Sequence, residues 1–133
     1  MDSKILSQDI NIAHNMRSRS YAPSTKFTTG CVLVCKNGKR YTGCNIENAG
    51  VQSICGERVA FVKAISEGEK EFSYIVIVGG PEGEKAEKEC LPCGYCRQFM
   101  NEFVDEDFKI YTVDKEKIRE YTMEDLLPYS FIF

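Results

Sequence analysis

The chain has 133 residues, 43% of them hydrophobic and 28% charged, with a formal net charge of −3, which is the length and composition of one ordinary globular domain with one core. A slightly acidic balance argues against nucleic acid or an anionic membrane surface as partner, since both are recognised through clustered Lys and Arg. "MDSKILSQDI" lacks the apolar core of a signal peptide and no apolar run reaches the about 20 residues that span a bilayer, so a cytoplasmic protein is expected.

Leu6, Ile10 and Ala13 recur at helical spacing behind the capping candidates Asp2 and Ser3, predicting a first helix to about Arg19. "YAPSTKF" breaks it. "TGCVLVCKNGKRYTGCN" reads as two strands around Asn37-Gly38, a pair that favours the type I′ turn of a tight hairpin. "GERVAFVKAISE", from Gly56 to Glu67, is apolar on most sides and stops at Gly68, which predicts a buried helix with Cys55 at its N-terminus. "SYIVIVGG" reads as an interior strand and "PEGEKAEKE" as a solvated loop. Pro92 then marks a helix start, with Phe99, Met100, Phe103 and Val104 as one apolar face. "FKIYTV" is a further strand, "KIREYT" a weak one and "MEDLLP" a short terminal helix. This order predicts an α/β fold: a three-layer α/β/α sandwich around a mixed five-stranded sheet, an N-terminal antiparallel hairpin followed by parallel strands.

Seven cysteines stand at 31, 35, 44, 55, 90, 93 and 96. A reducing cytosol makes a disulfide framework a poor explanation, leaving metal ligation or core packing. "ECLPCGYCRQF" holds two overlapping C-x-x-C patterns, which local spacing alone assigns neither to redox chemistry nor to metal. Cys55 and the Cys93/Cys96 pair, however, both fall at predicted helix N-termini, where partial positive charge favours the thiolate a zinc ion requires. Cys93 and Cys96, three apart, share one helical face. Three sulfur ligands leave a tetrahedral ion one open position, the mark of catalytic rather than structural zinc. Glu57, two residues after Cys55, is a candidate acid/base at the mouth of an otherwise apolar helix.

"CGERVAF" followed by "PCGYCRQ" matches the pattern of zinc-dependent nucleobase deaminases, a His or Cys, one residue, Glu, then P-C-x-x-C. With "GCNIENAG", "KAISEG" and "LLPYSF", the chain resembles the small homotetrameric cytidine deaminases over nearly all its length, from the hairpin to the C-terminus. The resemblance implies one zinc ion per chain on Cys55, Cys93 and Cys96, with an activated water attacking C4 of the pyrimidine and Glu57 carrying protons to N3 and to the departing amino group. Three thiolates outnumber the charge of the ion. Arg58 is the implied remedy, donating to the ligand sulfurs. Asn45 and Glu47 match ribose-binding residues. Phe27 matches an aromatic on the pyrimidine face and Phe131 one that reaches the site from a neighbouring subunit. The N–H of Gly56 and the carbonyl of Leu91 or Pro92 would complete base recognition. The apolar run Phe131-Ile132-Phe133 fits burial in a homotetramer.

Three departures touch the pocket walls. "NAGVQSIC", around Val51, is one residue shorter than usual and lacks a tyrosine; Gly56 replaces a more familiar alanine; and "PSTKF" lacks the tyrosine of "PYSKF". The expected activity is deamination of free cytidine and 2′-deoxycytidine. The alternatives are a deaminase of a modified cytosine nucleoside of the blasticidin S type, a non-catalytic zinc module with Cys90 as fourth ligand, and a thioredoxin-like dithiol at Cys93 and Cys96. Cys31, Cys35 and Cys44 read as small core residues, and the lone His14 as a surface residue that gives a nucleophilic cysteine no base.

Overall fold

In the computed structural model, which describes residues 1–50 and 52–133, Asp2 caps helix α1 (Ser3–Met16) by accepting from the Lys4 N–H at 2.8 Å. Val51, in the shortened segment, lies outside the described residues. Leu6, Asp9 and Ala13 form the buried stripe of α1, with Ile10 partly buried beside it, and a 3-10 turn, Arg17–Arg19, continues the helix to its expected end. Asp9 is the surprise in that stripe. It is stabilised there by a two-pronged ion pair with Arg40, at 2.7 and 3.2 Å, and by the Tyr74 hydroxyl, which satisfy a carboxylate that burial alone would penalise.

Strands β1 (Phe27–Cys35) and β2 (Arg40–Cys44) form the expected antiparallel hairpin. Its turn is not type I′. Gly38 has φ +90° but Asn37 is not in the left-handed region, and the Gly38 N–H bonds the Cys35 carbonyl while the Cys35 N–H bonds that of Lys39, both at 2.9 Å. This is a three-residue loop closed by a glycine bulge, which needs one positive φ where type I′ needs two.

Helix α2 (Gly56–Ser66) starts from Cys55 as its N-cap. It ends in a Schellman motif: Gly68 at φ +98° lets its own N–H reach the Ile65 carbonyl at 2.9 Å and that of Glu69 reach Ala64 at 3.0 Å. Strand β3 (Phe72–Pro81) is the interior strand, and α3 (Gly94–Asn101) follows the loop after it. Cys93 is the N-cap of α3, so Pro92 stands just outside the helix rather than within its first turn. The helix also stops short of Phe103 and Val104, which pack on the core from beyond its C-terminus, Phe103 against Phe99 at 5.0 Å between ring centres.

Strands β4 (Lys109–Asp114) and β5 (Lys117–Thr122) and helix α4 (Met123–Leu126), closed by a Thr122/Asp125 capping box, complete the chain. The sheet order is β2-β1-β3-β4-β5. Only β3 and β4, joined through α3, run parallel. The turn between β4 and β5 is too short for a parallel crossover, so β5 returns antiparallel.

Alternation along the strands divides the core into two layers. Val32, Val34, Tyr74, Val76, Val78 and Tyr111 face α1. Cys31, Leu33, Cys35, Ile75, Ile77 and Ile110 face α2, α3 and α4, where Phe61, Met100 and Phe108 fill the space between. The result is the expected α/β/α sandwich. Because β2 and β3 both run antiparallel to β1, they point the same way, and each leads from its carboxyl end into a helix. The N-termini of α2 and α3 therefore meet at one end of the sheet, where ligands of open α/β sheets bind.

Candidate active site and metal centre

The segment between β2 and α2 is folded back on itself, with reciprocal hydrogen bonds between Ile46 and Ile54 at 3.0 and 2.9 Å. That return delivers Cys55 to the N-terminus of α2. Opposite it, Cys93 caps α3, its sulfur accepting from the Cys96 N–H at 3.4 Å. The sulfurs of Cys55, Cys93 and Cys96 all lie within 4.8 Å of one another, and Cys55 and Cys93 are 3.6 Å apart. A tetrahedral ion with Zn–S bonds of about 2.3 Å spaces its sulfurs by about 3.8 Å. The donor set therefore fits zinc. Cys96 is buried, Cys55 half-buried and Cys93 exposed, so the cluster is anchored in the core on one side and open on the other.

The electrostatics favour one anionic sulfur, that of Cys55. The Cys55 thiol is pushed down to about 5, chiefly by the hydrogen bond from Cys96, with burial opposing and Arg58 and Cys93 assisting. Cys96 is pushed up by the same bond, with burial next. Arg58 donates from Nη2 to Cys55 Sγ at 3.5 Å, and its guanidinium lies 3.9 Å over the Tyr95 ring. Among the described residues its buried Nε finds no hydrogen-bond partner; the aromatic face offsets part of that cost. Tyr95 was not legible as a site residue, because an x position inside C-x-x-C carries no chemical signal of its own.

Glu57 lies at the start of α2 and is 3% exposed. Burial, opposed by the residue's own backbone N–H and aided by the Cys55 charge, raises its carboxyl to about 7, poised to hold or release a proton near neutrality. Cys31, read from sequence as plain core, donates to Glu57 Oε1 at 3.6 Å. Its signal was the strand alternation, which directs Cys31 to the same face as α2. Cys35 and Cys44 are buried as expected, and His14 is exposed.

Cys90 is outside the sulfur cluster found among the described residues. It packs on the core, 3.9 Å from Thr29 Oγ1, with its thiol pushed up to about 12 by burial and then by the Glu57 charge. Gly79 makes room for it, since a Cβ there would lie 2.6 Å from the Cys90 sulfur. The loop before Cys90 is mostly solvated, but Glu89 ties it to the sheet by accepting from the hydroxyls of Thr112 and Tyr121.

Asn45 and Glu47 stand at the same end of the sheet with employment already in the fold. Asn45 accepts from the Thr29 N–H and donates to the Phe27 carbonyl, both at 2.8 Å, leaving one amide proton free. Glu47 accepts from the N–H groups of Ser24 and Thr25 at 2.9 and 3.2 Å and from the Thr25 hydroxyl. Phe27 begins β1 and is 39% exposed. The Gly56 N–H opens α2 beside Cys55. Phe131 is 62% exposed, and its ring packs edge-on against that of Phe133 with centroids 4.9 Å apart.

The cytidine and deoxycytidylate deaminase zinc-binding region matches residues 4–112. A cytidine deaminase of Sporosarcina psychrophila is 38% identical over 117 residues, covering 86% of this chain and 82% of that protein. One from Halalkalibacterium halodurans is 36% identical over 133 residues, 98% and 95% of the two chains. The crystal structure of cytidine deaminase from Burkholderia pseudomallei superposes with a TM-score of 0.85 at 33% identity, covering 94% of this chain and 98% of that one.

Proposed function

The chain belongs to the zinc-binding cytidine and deoxycytidylate deaminase family, and from that premise we propose that it converts free cytidine and 2′-deoxycytidine to uridine and 2′-deoxyuridine, consuming water and releasing ammonia. The observation that carries this reading is the convergence of three cysteine sulfurs at two helix N-termini with a buried carboxyl, Glu57, at one of them.

Cys55, Cys93 and Cys96 would hold one zinc ion. When bound, the ion supplies acidification of water toward a nucleophile at neutral pH. Glu57 then acts as the proton carrier, accepting at its carboxylate, delivering to N3 of the ring, and supplying a proton to the amino group that leaves from C4 as ammonia. Burial suits this task, because a carboxyl held near neutrality exchanges protons in both directions. Arg58 withdraws negative charge from the sulfurs, which would otherwise blunt the ion.

Asn45, through its free amide proton, and Glu47, through its remaining lone pair, bind the ribose hydroxyls. The Gly56 N–H and the Leu91 or Pro92 carbonyl read the base, Phe27 covers its face, and Phe131 closes the site from a neighbouring subunit of a homotetramer. Among the described residues no helix is long and apolar enough to cross a membrane, in keeping with a cytoplasmic enzyme of one domain acting on a small nucleoside.

The test is ammonia release from cytidine by the wild type and by Glu57→Gln. The variant should keep its fold and about one zinc per chain while turnover falls about 10³-fold or more, the scale of a lost acid/base. Turnover of blasticidin S but not cytidine would redirect the substrate. Near-normal activity of Glu57→Gln would defeat the assignment.

A further inference from the structure

We propose that Cys31 is a positioning residue for Glu57, its thiol hydrogen-bonding Oε1 to fix the carboxyl, and that residue 56 is glycine to admit the Cys31 sulfur beneath the start of α2. The proposal rests on Glu57 being the proton carrier.

Three observations meet at this sulfur. Cys31 is fully buried in β1 and donates to Glu57 Oε1 at 3.6 Å, and among the described residues no other side chain hydrogen-bonds that carboxyl. A Cβ at Gly56 would sit 3.1 Å from Cys31 Sγ, and 3.3 Å from both Cys44 Cα and the Thr29 carbonyl oxygen. Gly56 is in the right-handed region, so its conformation does not call for glycine. The space does. An alanine there would have to displace either the sulfur or the backbone of β1 and β2, and the sulfur is the one of the three held only by a side-chain torsion.

A buried thiol is a suitable anchor for a carboxyl that must cycle between protonation states. Burial, followed by the Glu57 charge, raises the Cys31 thiol well above its ordinary value, so it remains a donor. A thiol is also a weak donor, able to orient Glu57 without locking it in the ionised form as a guanidinium would. Strand β1 is held on both sides, by β2 and β3, which makes Cys31 a rigid reference point for a side chain at a helix terminus.

The experiment compares wild type, Cys31→Ala, Cys31→Ser, the double variant Cys31→Ala/Gly56→Ala, and Glu57→Gln, in kcat, KM for cytidine, Tm and zinc content. Cys31→Ala should lower kcat about tenfold with KM within about twofold and zinc unchanged, the signature of an interaction used in the chemical step. Cys31→Ser, which keeps a donor, should recover most of kcat. The double variant refills the lost volume without a donor, so its Tm should exceed that of Cys31→Ala while kcat stays low. Full kcat in Cys31→Ala, or recovery in the double variant but not in Cys31→Ser, would overturn the proposal in favour of simple packing. Wild-type turnover by Glu57→Gln would overturn both this inference and the reading beneath it, whereas an inactive Glu57→Gln beside an unimpaired Cys31→Ala would overturn this inference alone.

Discussion

Arg58 is held by two demands that no other residue type meets together: a hydrogen bond at 3.5 Å to Cys55 Sγ and a planar cation over the Tyr95 ring at 3.9 Å. Lysine could supply charge but not the planar fork. Arg58→Gln should therefore weaken zinc binding about 10- to 100-fold, the usual scale for partners of metal ligands, measured by competition with a chromophoric chelator. Tyr95→Ala should move affinity the same way by less, and Tyr95→Phe should leave it unchanged, since the ring face does the work. Glu47 offers a pH-dependent test of a different kind. Its carboxyl is held below the ordinary carboxylate range chiefly by the Thr25 hydroxyl, with the Ser24 and Thr25 N–H groups adding to it. A depressed folded-state value means the stabilisation is fully present above the unfolded value, about 4.3, and is lost as pH falls through the folded one. The Tm gap between wild type and Glu47→Gln should accordingly be open at pH 6 and narrow as the pH is taken down toward 3. A gap independent of pH would mean that Glu47 is not ionised in this role.

The two helices that carry the cluster are set by how closely α2 approaches the sheet, and Gly43 in β2 sets that approach. A Cβ at Gly43 would meet the Gly56 carbonyl oxygen at 2.2 Å and the Ala60 nitrogen at 2.8 Å, both backbone atoms with no rotamer to relieve them. Gly43→Ala should cost about 3 kcal/mol, the upper range for overpacking, or a Tm loss of roughly 10 °C, with zinc retained less tightly because Cys55 moves with α2. Gly94→Ala is the control, since nothing lies within 4 Å of its Cβ position, and its Tm should stay within about 2 °C of wild type. At this scale the sequence was informative where pattern and chemistry coincided. Element order, the Schellman end of α2 and the thiols at helix starts could all be read, because apolar periodicity, Gly68 and the C-x-x-C spacing each act locally. The turn at Asn37-Gly38 is ambiguous in sequence because type I′ and the bulged loop both want Asn-Gly, and only the strand register separates them. Apolar helical spacing persists through Phe103 and Val104, past Asn101, although the chain has already left the helix. Asp9, Glu47 and Cys31 were opaque in the structural roles they also carry, since the partners of each lie on other elements.

Over the whole molecule, exposed apolar residues are scattered along the chain, but the C-terminal segment carries an unbroken run of them: Phe131, Ile132 and Phe133 are 62, 79 and 93% exposed, and Tyr129 beside them is fully so. Isolated exposed apolar residues are ordinary, but a contiguous run of this kind marks an interaction surface. The run is attached to its own domain lightly, with Gln98 Nε2 reaching the Phe131 carbonyl at 3.5 Å, so its burial in a neighbouring subunit would cost the domain few contacts. Full burial of such side chains stabilises by roughly 2 kcal/mol each, and the copies of this run in a homotetramer would contribute together. If the proposed homotetramer forms, removal of residues 131–133 should shift the sedimenting species toward smaller forms. The core formed by β1, β3 and α2 does not include those residues, so a far-UV circular dichroism spectrum like that of the full chain is expected. Mixing the truncated chain with an excess of Glu57→Gln separates assembly from site completion. The truncated subunit keeps Glu57 but lacks Phe131, and the Glu57→Gln subunit keeps Phe131 but lacks the proposed proton carrier. Activity that appears only on mixing requires Phe131 to act across a subunit boundary, and its failure to appear in a mixture that sediments as tetramer would confine Phe131 to assembly.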